Sequence, residues 1–474
     1  MTRLPLILLV CLLAWLPPQA SARLMGPPES WQLPGGGRDL AQIRSSGQLR
    51  VLINQSRNSS GEVKGQSIGV EHHRLQAFLQ YLNRNARSGR NIELKLIPRP
   101  KDQLLGALLR GEGDLVAPGE MLEVRQGQPV VATEPFRSQV PLVVVSRQGN
   151  RRYRNLEQLA GRSLLLPAGS AVSGALKAVN RRLAERNLEP LAIEWVDSSL
   201  AVEDVLEMVQ AGIFPRTAVE QPIAERWAKV MPKLRIDRHL VLSSDGDISW
   251  FVRRDAPMLH ASVDRFARTY HDPENLDADF QRVYRRLYRV HSPLGRQDLQ
   301  RLEKVRPVLQ KHAEQTGLDW LMLAALAFKE STLNPAARGA GGATGLMQIT
   351  PAAARSVGVG NVQLLDNNVL AGSRYLAKIR RTYFSSPQIN DRERMAFTLA
   401  AYNLGPERVQ ALRAEARRRG LNGNQWFFQV ERVAMEQLGM GVVSYVGAVN
   451  KYYLAYDRER DWLEPRGKGA VSQR

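Results

Sequence analysis

Residues 319–334 read DWLMLAALAFKESTLN, and the fold of the second half of the chain turns on how they are read. Every residue from Trp320 to Phe328 is apolar. The run is long for a buried strand and rich in Leu, Ala and Met, so it predicts a helix hydrophobic all round, and therefore buried. Asp319 stands where an N-cap belongs, and Pro335 is expected to end the helix. Glu330 then lies near the C-terminus of a buried helix. Partial desolvation raises a carboxyl pKa, and the negative end of the helix dipole acts in the same direction. A carboxyl that stays protonated near neutral pH can act as a general acid. Taken alone, the run equally suits a surface glutamate on a core helix, paired with Lys or Arg.

Working outward, Asp298 to Gly317 reads as a helix leading into this run. Beyond it, helical patterns cover Val369–Tyr383, Arg392–Tyr402, Glu407–Arg419, Gln425–Leu438 and Val442–Tyr456, with little strand signal. An all-α region is expected over 300–460, with a disordered tail at 461–474. Upstream the pattern is different. Strands at Leu49–Asn54, Ile92–Ile97 and Asp114–Ala117 alternate with helices at His72–Asn85 and Lys101–Arg110. After an apolar strand at Gln139–Ser146 the alternation restarts with Ser163–Leu166, Ser173–Arg186, Ala192–Val196 and Ala201–Ala211, and ends with Ile248–Val252 and Ala256–Tyr270. This predicts an α/β region over 39–270 with a mainly parallel sheet, joined by a charged, partly helical linker at 271–299.

At 474 residues the chain has room for several domains with real cores. The 66 basic and 46 acidic residues give a net charge of +20, spread along the chain. Such a surface favours anionic partners. No stripe of Arg and Lys with interleaved aromatics is present, so nucleic acid is not the expected partner. Arg3, the apolar stretch Leu4–Leu16 and Ala20-Ser21-Ala22 form the n-region, h-region and cleavage site of a secretory leader, 1–22. A Pro- and Gly-rich lead-in follows, 23–38. The single cysteine, Cys11, lies within the leader, so the mature chain has to be held by hydrophobic cores rather than disulfides.

Four segments of the helical half stand out: FKESTLNP with Glu330, GGATGLMQIT (341–350), AAYNLGP (400–406) and VSYVGAVNKYY with Tyr445. Clustered glycines let backbone approach a ligand, and the Gln348 amide offers both donor and acceptor. Each segment also has a plain reading as a turn, a core Met, a helix end or a packed aromatic. Asp366 and Asp391 read as helix caps. No second acid lies in the four segments, and no His or Asp spacing suggests a metal.

Two family resemblances follow from these residues. LAQIRSSGQLRVLI, LLGALLRGEGDLVAPG, EVRQGQPVVATEPF and LAGRSLLLPAGSAVSGALKAVN, within 39–270, resemble the periplasmic amino-acid-binding proteins. That resemblance implies two α/β lobes hinged about a cleft, with Arg125 clamping a ligand carboxylate and Glu220 near the ligand amine. A planar guanidinium suits a carboxylate bidentately. The set E-S, G-x-x-G-L-M-Q and A-Y-N-x-G over 300–456 resembles the lysozyme-like domain of soluble lytic transglycosylases. With the leader and the α/β region, the whole is similar to the two-domain membrane-associated lytic murein transglycosylase F type. The resemblance implies Glu330 as catalytic acid and base, Ser331 supporting it, and Gly345, Leu346, Met347 and Gln348 lining a sugar cleft. Tyr402 and Asn403 would lie beside Glu330, and Tyr445 would complete the wall. It further implies peptidoglycan as substrate, no cofactor, a cell-wall peptide as regulatory ligand of the first domain, and a periplasmic location, free or peripherally held at the outer membrane of a Gram-negative bacterium.

Hydrolysis of a glycosidic bond ordinarily takes two carboxylates. One suffices if the substrate supplies the nucleophile, as when a muramoyl C6 hydroxyl closes a 1,6-anhydro ring. Two other expectations remain open: a binding or sensor protein whose helical domain docks glycan without cutting it, and an inactive wall-binding scaffold.

Overall fold

A computed structural model describes residues 38–64, 66–67, 69–84, 91–274, 276–285 and 291–464. The expected leader, Cys11, the lead-in up to residue 37, and 465–474 of the expected tail lie outside these residues.

Among the described residues, the first lobe holds a sheet ordered Glu93–Arg99, Gln48–Asn54, Leu115–Ala117, Phe251–Arg253, Val130–Ala132. Gln48–Asn54 runs parallel to both of its neighbours, and Phe251–Arg253 pairs antiparallel. Central strands such as Gln48–Asn54 are apolar on both faces because helices cover both. The second lobe departs from the expected parallel sheet. There Arg137–Arg147 lies antiparallel between Arg216–Glu220 and Leu234–Ile248, while Ser163–Leu166 and Ala192–Trp195 form a parallel pair. Leu234–Ile248, LRIDRHLVLSSDGDI, has no clean alternation, and its register with its partner shifts four times. These two long antiparallel strands carry the chain between the lobes.

The connecting segment is partly helical and packs against the second lobe. Its helix Leu276–Tyr284 buries Phe280 and Tyr284 against Trp227 of the second lobe, ring centroids 4.7 and 5.2 Å apart. Val205, Val209 and Trp227 of the second lobe, Phe280 and Tyr284, and Leu302, Leu323, Phe397 and Val446 of the helical region belong to one continuous buried cluster. The fold class is thus as expected, a two-lobed α/β region followed by an all-α region, but the second lobe and the helices share a core. The helices run on to Arg460–Leu463, whose Leu463 is buried, past the expected boundary at 460. No helix of the described residues is long and apolar enough to cross a membrane.

Candidate active site

The helix Trp320–Ser331 starts as expected, with the Asp319 carboxylate accepting from Leu321 N at 2.9 Å. Its end differs. Thr332 and Leu333 take left-handed conformations (φ 54° and 59°), which stop the helix before Pro335 is reached. Residues 320–328 are buried, and Glu330 emerges half-buried one residue before the end.

Tyr445, on the helix Met440–Arg458, donates its hydroxyl to Glu330 Oε1 at 2.5 Å. Burial pushes the Glu330 carboxyl above its ordinary range, opposed by the Tyr445 hydrogen bond and by the neighbouring Lys329 cation. Lys329 Nζ is 5.8 Å from the Tyr445 ring centre. Tyr445 and Tyr402 are both held well above the usual phenol value, first by burial and then by the nearby Glu330 charge, so both remain donors. Lys329 is the one charged side chain acting on Glu330 among the described residues.

The loop 341–350, expected to line a sugar cleft, is hydrogen-bonded to Ser331 and Tyr402. The Leu346 and Met347 side chains are fully buried, Met347 filling the space over Gly372. The loop therefore faces the site with backbone, and Tyr402 donates to Met347 O at 2.8 Å. Gln348 does not reach outward with its donor. It has φ 48° and spends its amide N–H groups on Gly345 O (2.8 Å) and Ala337 O (3.2 Å). Ser331 pins the helix end to the loop, donating to Leu346 O at 2.8 Å and accepting from Asn334 N at 3.1 Å. Asn403 is exposed beside Tyr402.

Asn368 is the residue that the sequence reading missed. Fully buried on the helix Leu365–Tyr383, it donates to Thr344 O (2.8 Å) and Val362 O (2.9 Å) and accepts from Met347 N (2.8 Å). A Cβ on Gly345 would lie 2.3 Å from its amide nitrogen, and Gly345 has φ 75°, so this close approach requires a glycine. The available signal was a lone Asn on the apolar face of LDNNVLAG. The two aspartates read as caps act otherwise: Asn390 caps its helix, Asp391 pairs with Arg394, and Asp366 pairs with Lys311 and His312.

Residues 307–425 match the family described as Transglycosylase SLT domain. A transglycosylase SLT domain is present. Among curated relatives, the membrane-bound lytic murein transglycosylase F of Desulfosudis oleivorans is 26% identical over 82% of this chain and 82% of its own length. That of Ectopseudomonas mendocina is 27% identical over 82% of this chain and 77% of its own. Among solved structures, an amino acid transporter substrate-binding protein from Streptococcus pneumoniae bound to L-arginine aligns with 51% of this chain and 97% of its own, at 17% identity and TM-score 0.41.

The helical region is tied to both lobes. Lys451, on the helix that carries Tyr445, pairs with Asp204 (2.7 Å) and Glu207 (2.5 Å) of the second lobe. Asp204 also binds Arg57 of the first lobe at 2.6 Å, and Arg57 N donates to Glu203 at 2.8 Å. All three acids lie on the helix Val202–Ala211 and are buried. The two residues of the expected ligand clamp differ in their surroundings. Arg125 is exposed, and its backbone carbonyl accepts from Gln128 N at 3.1 Å. Glu220 is buried and accepts from Met121 N at 3.0 Å.

Proposed function

We propose that the SLT domain cleaves the β-1,4 bond between N-acetylmuramic acid and N-acetylglucosamine of peptidoglycan by lytic transglycosylation. Glu330 protonates the glycosidic oxygen, and the substrate N-acetyl group stabilises the developing oxocarbenium. The Glu330 carboxylate then takes the proton from the muramoyl C6 hydroxyl as that oxygen closes on C1. The products are a 1,6-anhydromuramoyl end and a free N-acetylglucosamine 4-hydroxyl, and the glutamate returns to its acid form. One observation carries this reading. Glu330 is a lone carboxyl with a raised pKa whose fixed partner is a hydroxyl, not a second carboxylate. A residue used as acid and then base works best when its pKa is near the working pH.

The names of the relatives and the leader-like first residues support a periplasmic enzyme of the cell envelope. The net charge of +20 supports retention on anionic lipid or wall polymer, a contact that salt weakens. Control of cutting by the first two lobes is supported by the Met440–Arg458 helix, which links Tyr445 to the Lys451 cluster.

Digestion of purified sacculi tests the chemistry. The wild-type chain is expected to release 1,6-anhydromuropeptides by mass spectrometry, and Glu330→Gln to lose about 10³-fold or more in rate. Unchanged activity in Glu330→Gln would sink the mechanism, and reducing-end products would make the enzyme a hydrolase.

A further inference from the structure

We propose that the space between the two lobes is a primary-ammonium site which the chain fills with its own Lys101. Two carboxylates reach this space from opposite sides. Glu120 follows the first-lobe strand Leu115–Ala117, and Glu220 ends the second-lobe strand Arg216–Glu220. They are 3% and 4% exposed, so neither is balanced by bulk water. Each has one fixed neutral donor: Asn54 Nδ2 lies 2.9 Å from Glu120 Oε1, and Met121 N lies 3.0 Å from Glu220 Oε1. One amide apiece does not offset two buried negative charges, whereas an ammonium with three donors can serve both. Lys101 supplies it, with Nζ 2.8 Å from Glu120 Oε2 and 3.7 Å from Glu220 Oε1.

The lysine enters from the first-lobe turn Lys101–Gln103, and the space beyond it is not sealed. A cavity of about 660 Å³ is lined by Asn54, Lys101 and Glu120. It extends to Ser198 of the second lobe and to Arg392 and Gln425 of the SLT domain. A small cation can therefore reach Glu120, and the Nζ position that faces Glu220, if the lysine side chain is removed. The lining also carries two guanidinium groups, Arg99 and Arg392, beside the ammonium subsite. What the two carboxylates select is a primary ammonium, whose three donors can serve both. In the intact chain the tethered amine ties the lobes together, and a soluble amine has to displace Lys101 to enter. This inference does not depend on the glycosidic reading of Glu330.

Chemical rescue tests it on the full chain in amine-free buffer. Lys101→Ala is expected to unfold at lower denaturant than wild type. Propylammonium, which replaces the missing atoms, should restore stability. At tenfold excess over its dissociation constant it raises the folding equilibrium about tenfold. Wild type should respond to propylammonium no more than to tetramethylammonium, which has no N–H donors. The triple variant Lys101→Met, Glu120→Gln, Glu220→Gln should regain stability and lose the response. If Lys101→Ala does not fold unaided, recovery of folded protein with propylammonium and not with tetramethylammonium supports the site. Equal stability of Lys101→Ala and wild type, equal responses of the two to propylammonium, or no recovery with either cation overturns it.

Discussion

Glu330 and Glu220 are both carboxyls drawn away from bulk water, and the partners they meet there differ in kind. Glu220 lies 3.7 Å from an ammonium that it shares with Glu120. Glu330 is met by the hydroxyl of Tyr445, with Lys329 acting on it from the exposed side. Separating a buried ammonium from its carboxylate partner leaves an uncompensated charge. A hydroxyl donates to either state of the carboxyl and leaves the proton free to move. The same element carries both solutions: the helix Met440–Arg458 brings Tyr445 to Glu330 and Lys451 to Asp204 and Glu207. One end of it handles a mobile proton, and the other a fixed charge.

The contrast can be broken from either end. The largest expected effect is at the fixed charge. Lys451→Met leaves Asp204 and Glu207 buried with Arg57 as their remaining cation, and should lower unfolding stability by about 3–5 kcal/mol. Urea unfolding measures it, and a loss below about 1 kcal/mol would mean that the cluster is solvated after all. At the mobile proton, Tyr445→Phe should cost about tenfold in rate, the value of a hydrogen bond to a charged group. The sign of its pH effect follows from the geometry. The Tyr445 hydroxyl lowers the Glu330 pKa against burial, so removing it raises that pKa further. Activity that needs the protonated acid then persists to higher pH, and the basic limb of the pH–rate profile moves up. A basic limb that moves down would assign the acid elsewhere. The smallest effect is expected at Arg125, which stands on the surface. Arg125→Ala should change stability by no more than about 0.5 kcal/mol, and calorimetry with stem peptides should give the same result for both proteins.

The part of the site legible in the sequence was the part set by helix pattern. An unbroken apolar run fixed the burial of Trp320–Phe328, and Glu330 and Tyr445 fell on helices that the structure brings together. What was illegible depends on long-range partners. Leu346 and Met347 look the same in sequence whether they face a ligand or the core, and Gly372 makes the difference by leaving room for Met347. Gln348 has the chemistry of a ligand contact, but its left-handed backbone turns its amide onto the loop itself. Lys101 read as the start of a helix, since nothing local reports carboxylates 19 and 119 residues away. The strand Leu234–Ile248 escaped because a hinge strand that changes register at intervals never presents a period of two.

The continuous cluster linking Val205 and Trp227 to Leu323 and Phe397 has a consequence for how such a chain can be assembled or taken apart. A catalytic module joined by a tether can be excised, shuffled into another gene or released by a protease with its fold intact. Here, a break near residue 300 would expose the apolar faces that hold Trp227, Phe280 and Tyr284 on one side and Val446 and Val449 on the other. The two halves are covalently sequential but thermodynamically one body, and selection on either surface acts on both.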